Sequence, residues 1–142
     1  MSYATATDMQ TRFTEQDLVL LTERENSAPG EVNLPVLTQA LDDASAEINA
    51  YLSGRYTLPL STVPTALVRV CCDIARYFLS GDNAPEHIAK RYADAVAFLQ
   101  AVNQGKVALG IDSLGDKAVT NDTAYMESAG SVFSRAKSQG FI

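Results

Sequence analysis

Three ionic residues interrupt an otherwise apolar stretch. Between Pro64 and Gly81, Arg69, Asp73 and Arg76 recur at offsets of four and three, with Ser80 four further on, which on a helix makes one narrow file. The chemistry open to a carboxylate between two guanidiniums is ion pairing. It takes place either within the helix, at about 0.3 to 0.5 kcal/mol per exposed pair, or across a subunit boundary to acidic groups of a neighbouring chain. Other reactive types are scattered. His87, the single histidine, falls in the first turn of a helix beside Pro85, Glu86 and Lys90 and reads as a surface residue. Asp42, Asp43 and Glu47 read as a solvated helix face rather than a cation site. Cys71 and Cys72 are adjacent, so their side chains diverge by about 100° on a helix; with no third cysteine in the chain they read as small buried hydrophobes. The sequence has no zinc-ligand spacing, glycine-rich phosphate loop or Gly-x-Ser-x-Gly elbow. Without a convergent polar set, the expectation is a protein with no catalytic residues, no metal and no cofactor, and not an enzyme.

The helix that carries the file is expected to be central. Leu67, Val70, Cys71, Ile74 and Phe78 form one stripe, and Val68, Cys72, Ala75 and Leu79 widen it around the cylinder. Pro64 suits its first turn and Gly81 its end. Before it, Thr14 to Asp17 has the form of a capping box opening a helix to about Arg24, with Phe13 placed to staple onto Leu18. A shorter helix around Asp8 to Arg12, capped by Thr7, is compatible with the pattern. Residues 25–33 are polar and contain Pro-Gly, a surface loop. A long helix from Asn33 or Leu34 to about Ser53 places Leu37, Leu41, Ala44, Ile48, Tyr51 and Leu52 on one face. The small residues Ala40, Ala44 and Ala46 let a neighbouring helix approach. Arg55 to Pro64 reads as an extended connector, because Pro59 and Pro64 restrict the residues before them.

After Gly81, the short link Asp82 to Pro85 predicts an antiparallel hairpin with a last helix, about Pro85 to Gln104, whose Ile88, Tyr92, Ala95, Leu99 and Val102 share a face. Lys106 to Ile111 alternates and reads as a short extended segment, stable only if it pairs with something. The fold class expected is therefore all-α: a small four-helix arrangement ending in a helical hairpin, then a short extended segment and an extended C-terminal arm.

Composition divides the chain in two. Residues 1–111 form the helical core; residues 112–142 are rich in Gly, Ser, Asp, Thr and Asn, lack a sustained period and scatter their apolar residues singly. Such a segment cannot offset its own ordering entropy. Its apolar end nevertheless suits an arm that orders on a partner, and Tyr125, Val132, Phe133, Arg135, Phe141 and Ile142 are its candidate contacts, beside Arg69, Asp73 and Arg76 on the core.

Net charge is -6, with 8 basic against 13 acidic residues over 1–111 and 3 against 4 over 112–142. A nucleic-acid binder needs a basic face for phosphate neutralisation. This balance argues against a helix-turn-helix DNA-binding regulator, the alternative reading of the last two helices. No apolar run approaches the ~18 residues of a membrane span, and the N-terminus lacks the basic start and apolar core of a signal peptide, so a cytoplasmic origin is expected.

Longer runs resemble a known family. They are Ala44-Ser45-Ala46-Glu47-Ile48-Asn49-Ala50-Tyr51-Leu52-Ser53-Gly54-Arg55-Tyr56-Thr57-Leu58-Pro59-Leu60, then Val63-Pro64, Asp73 to Tyr77, Arg91 to Ala95, Phe98-Leu99 and Gly105 to Gly110. The opening (Tyr3-Ala4-Thr5, Asp8-Met9, Arg12-Phe13) and the close (Val132 to Arg135, Gly140-Phe141) extend the likeness. The pattern resembles the small proteins encoded among the head and tail genes of Mu-like phages and prophages, which look like a version of the head-tail connector, or adaptor, of tailed phages. The resemblance implies a helical protein of the virion neck, assembled in the host cytoplasm. It implies a homo-oligomeric, dodecameric ring that touches the portal protein and a tail-proximal stopper or terminator protein. DNA would pass through its channel with only passive contact. No membrane partner and no catalytic residue is implied.

Overall fold

Six consecutive residues, Val70 to Ala75, are all buried, which a helix achieves only when neighbours cover it on every side. In the computed structural model, which describes residues 2–111, they belong to the fourth of five α-helices: α1 Ala6–Arg12, α2 Glu15–Thr22, α3 Leu34–Leu52, α4 Thr65–Ser80 and α5 Glu86–Asn103. A single 3-10 turn, Gly81–Asn83, links the last two. The described residues contain no strand, so the protein is all-α as its periodicity predicts. The proposed arm, 112–142, lies outside the described residues.

α4 is the axis. Cys71 faces α3, with its Sγ 3.6 Å from Ser45 Oγ. On another side Tyr77 stacks on Tyr92 of α5, ring centroids 4.1 Å apart and nearly parallel. α4 and α5 run antiparallel, since Arg76 lies alongside Ile88 while Arg69 lies alongside Asp94. Pro64 and Pro85 occupy the N-cap positions of α4 and α5 rather than the first helical turn. Gly81 closes α4 at φ +63, where a side chain would be strained. The N-terminal segment is held on α3: the Tyr3 amide donates to Ser45 Oγ at 3.0 Å and the Tyr3 hydroxyl donates to Asn49 Oδ1.

The caps differ from expectation in instructive ways. α1 starts two residues earlier than Thr7 would allow. Thr5 caps it in a full capping box, because Asp8 at N3 accepts from the Thr5 amide at 2.8 Å while the Asp8 amide donates to Thr5 Oγ1. At α2 the box is half formed. The Asp17 amide donates to Thr14 Oγ1, but the Asp17 carboxylate is drawn away to Arg76. α2 also stops at Thr22 rather than Arg24: the buried Thr22 hydroxyl donates to the Leu18 carbonyl and accepts from the Asn33 amide, fastening both ends of the loop.

Two segments expected to be extended are not strands. Residues 55–64 form turns and bends that bury Tyr56 and Leu60. After α5, Gly105 at φ +81 reverses the chain with the Arg55 guanidinium lying over it, 2.9 Å from where a Cβ would stand. Val107, Leu109 and Ile111 then pack against the core, and the Leu109 amide donates to the Tyr56 hydroxyl at 3.2 Å. The alternation at 106–111 reported sidedness correctly. It could not report a ladder, because the partner it meets is the Tyr56 side chain and not a strand backbone.

Candidate functional site

The file on α4 is the floor of a furrow made of two hollows that meet at His87, one walled by α5 and the other by α2 and α5. At one end lie Arg69, Asp73, His87, Lys90, Arg91 and Asp94, around a hollow of about 410 Å³. At the other lie Asp17, Leu20, Leu21, Arg76, Pro85 and Ile88. His87, exposed as expected of a surface residue, borders both.

The charged end is built on a buried carboxylate. Asp73 has a side chain only 5% exposed, with Arg69 at 3.6 Å and Arg91 at 3.5 Å, one on each oxygen. Burial pushes its carboxyl above the usual aspartate range, and Arg91, Arg69, Arg12 and Arg76 pull it back, in that order. Lys90 and Asp94 pair at 3.2 Å on the exposed wall of α5. The expected pair of Asp73 with Arg76 does not form. Arg76 points the other way, its guanidinium 4.4 Å from the ring centre of Phe13 and 3.6 Å from Asp17, with its Nε buried without a partner. Arg76 therefore fixes the α1–α2 corner to α4. Phe13, expected as a staple on Leu18, is also the platform for this cation. The reading of the file as exposed ion pairs within one helix is corrected: Arg69 is half-exposed, but Asp73 is buried and the Arg76 side chain nearly so. α2 and α5 lean over α4, and no single-helix projection shows that.

The apolar end holds Leu20, 65% exposed on the rim. Turned toward α3, Tyr92 of α5 donates to Glu47, and its hydroxyl is pushed up to about 12 by burial first and the Glu47 carboxylate second. Glu47 is thus tied to α5, while Asp42 and Asp43 stay exposed on α3.

Sequence reading identified Arg69, Asp73 and Arg76 but missed Arg91, Lys90, Asp17, Phe13 and Leu20 as their companions. The predicted hairpin held part of the signal, since its short link brings the middle of α4 abreast of the middle of α5. Tyr125, Val132, Phe133, Arg135, Phe141 and Ile142 lie outside the described residues.

Cys71 and Cys72 are both buried, and burial raises both thiols, Cys72 to about 12. At pH 8 about one part in ten thousand of Cys72 is then thiolate. A disulfide-exchange reagent should label neither thiol in the native protein and both in urea. Rapid labelling without denaturant would contradict this burial.

The class that fold and surface define is a small all-α protein whose most differentiated surface is an open furrow of mutually paired charges. Comparison with known proteins gives the family: the one described as Bacteriophage Mu, Gp36 matches residues 3–128, and the chain belongs to that family. It is 47% identical over 104 residues to the Mu-like prophage FluMu protein gp36 of Haemophilus influenzae, covering 73% of this chain and 74% of that one. It is 40% identical to gene product J of Escherichia phage Mu over 143 residues, the full length of both. This is a protein of the Mu-like phage type, and no helix among its described residues is long and apolar enough to cross a membrane.

Proposed function

We propose that the protein is a structural component of the phage particle, a head-tail connector that forms an oligomeric ring between the portal and the tail or its stopper and leaves a channel for DNA. The observation that supports this most directly is the furrow. Its ionic groups are paired with one another, Arg69 and Arg91 with Asp73, Arg76 with Asp17 and Lys90 with Asp94, instead of standing unpaired around a reacting centre, and an exposed leucine stands on its rim. A surface of that kind recognises another protein; a catalytic pocket concentrates unpaired groups around a reacting atom. On this reading the protein is not an enzyme and needs no cofactor. The ring is dodecameric, and the arm, 112–142, reaches the portal or an adjacent subunit through residues such as Phe133 and Phe141. The acidic balance suits a channel wall that DNA passes without sticking.

The helix-turn-helix alternative draws little from the geometry. Such a motif crosses its two helices steeply, whereas α4 and α5 lie antiparallel with Tyr77 stacked on Tyr92. The test is the position and stoichiometry of the chain in an electron-microscopy map of the intact particle. A ring directly beneath the portal is expected; a chain found in the tail tube or baseplate, or missing from the particle, would overturn the proposal.

A further inference from the structure

The charged groups of this subunit are unevenly spread. The furrow gathers Arg69, Arg76, Lys90 and Arg91, four of the eight cations among residues 2–111, against three carboxylates, Asp17, Asp73 and Asp94, which leaves it one positive charge in excess. α3, by contrast, carries three carboxylates and no cation in nineteen residues. Its outward face presents Asp42 and Asp43, followed on the same side by the exposed alanines Ala46 and Ala50.

These two faces lie on roughly opposite sides of α4. α3 covers the side marked by Cys71, and at 100° per residue Asp73 and Arg76 project about 140 to 200° away from it. Their dimensions agree as well. The file from Arg69 to Arg76 is about 10 Å long and the stripe from Asp42 to Ala50 about 12 Å, at 1.5 Å per residue. Each face has a charged end and an apolar end: a cluster with one positive charge in excess and Leu20 on the furrow, carboxylates and small alanines on α3. Two different, complementary patches on opposite sides of one subunit are what a head-to-tail contact requires, and such contacts close into a ring when the rotation from one copy to the next divides a full turn.

We propose that the furrow of one copy receives the outer face of α3 of the next, with Asp42 and Asp43 facing Lys90, Arg91 and Arg69 and with Ala46 and Ala50 under Leu20. This contact rests on the ring reading above and specifies its geometry. It also gives the half-exposed arginines a second task. They neutralise Asp73 within the subunit and present their free edge to the neighbour's carboxylates.

The test reverses each side in the full-length protein, supplied to a phage that lacks its own copy. The furrow variant is His87→Glu with Lys90→Glu, which spares the two arginines holding Asp73; the α3 variant is Asp42→Lys with Asp43→Lys. Each alone should lower incorporation into particles about a hundredfold, because like charges then face one another around the ring. A chain with all four changes should recover to within about tenfold of wild type, since attraction is restored with opposite sign. Normal incorporation of either one-sided variant would overturn the contact, and so would failure of the four-fold variant to recover while its circular dichroism is native. If glutamates at 87 and 90 unfold the chain, His87→Gln with Lys90→Gln probes the same face, and unaltered incorporation would count against the proposal. The two readings separate cleanly. A neck ring that tolerates every reversal removes this contact and keeps the connector, whereas a wild-type chain located outside the neck removes the ring itself.

Discussion

Replacing both Arg69 and Arg91 by alanine should cost the protein about 2 to 3 kcal/mol at pH 7, with the largest share falling on the carboxylate they leave behind. Asp73 is 5% exposed and holds one guanidinium on each oxygen. Stripping a buried charge of its partners ordinarily costs about 3 to 5 kcal/mol. The smaller figure allows for water that already screens two half-exposed arginines. The pH dependence has a definite sign. Burial raises the Asp73 carboxyl above its ordinary 3.8 in the folded state, so the folded protein holds that proton more tightly than the unfolded chain. Ionised Asp73 therefore opposes folding at neutral pH, and protonation relieves the penalty as pH falls through the raised value toward 3.8. Arg12 on α1 and Arg76 on α4 remain to face the group, but the two strongest counter-charges are gone, so the window widens upward. Urea unfolding at pH 7 and pH 5 should show the gap between variant and wild type narrowing on acidification. Adding Asp73→Asn to the double variant should restore most of the stability and remove the extra pH dependence. A gap of equal size at both pH values would mean that lost packing, not the stranded charge, sets the cost.

Much of this arrangement could be read from residue order, and the reason it stops where it does is physical. Helical period located α3, α4 and α5 to within a residue or two, because their apolar stripes are long and their ends carry Asn33, Gly81 and Gly105. The first cap is Thr5 and not Thr7, because Thr5 has Asp8 three residues on. That spacing is present in the sequence. The environment of the polar file could not be read this way. Asp17 leaves its own helix cap for Arg76, and Arg91 crosses from α5 to Asp73; both depend on how three helices lean together. Period two at Lys106 to Ile111 was likewise a true sign of a core-facing side, without the hydrogen-bonding partner that makes a strand.

The same packing predicts the most damaging core substitution. Ile74→Ala should destabilise the protein by about 3 to 5 kcal/mol, the upper part of the range for deleting a large aliphatic side chain. The size of such a loss depends on whether neighbours can close the cavity. Here they have little freedom. Ile74 is fully buried in the middle of the all-buried run Val70 to Ala75, so any collapse must drag α3, α5 or the N-terminal helices together. Each is tethered: the N-terminal segment to Ser45 and Asn49, α2 to Asn33 through Thr22, and α5 to Tyr77 through Tyr92. Leu79→Ala makes the contrast. Leu79 is only partly buried, near the C-terminal end of the same helix, beside the open hollow lined by Pro35 and Val36, and its loss should cost about 1 kcal/mol because water and loose side chains can fill the gap. For a domain of this size, each 1 kcal/mol lowers the thermal midpoint by about 4 to 8 °C. Thermal unfolding followed by circular dichroism should therefore drop by about 15 °C or more for Ile74→Ala and by about 5 °C for Leu79→Ala. Equal shifts would mean that α4 is not enclosed on all sides. In that case the furrow floor would be free to move with its core-facing side, and the file could not serve as a rigid template for a neighbouring subunit.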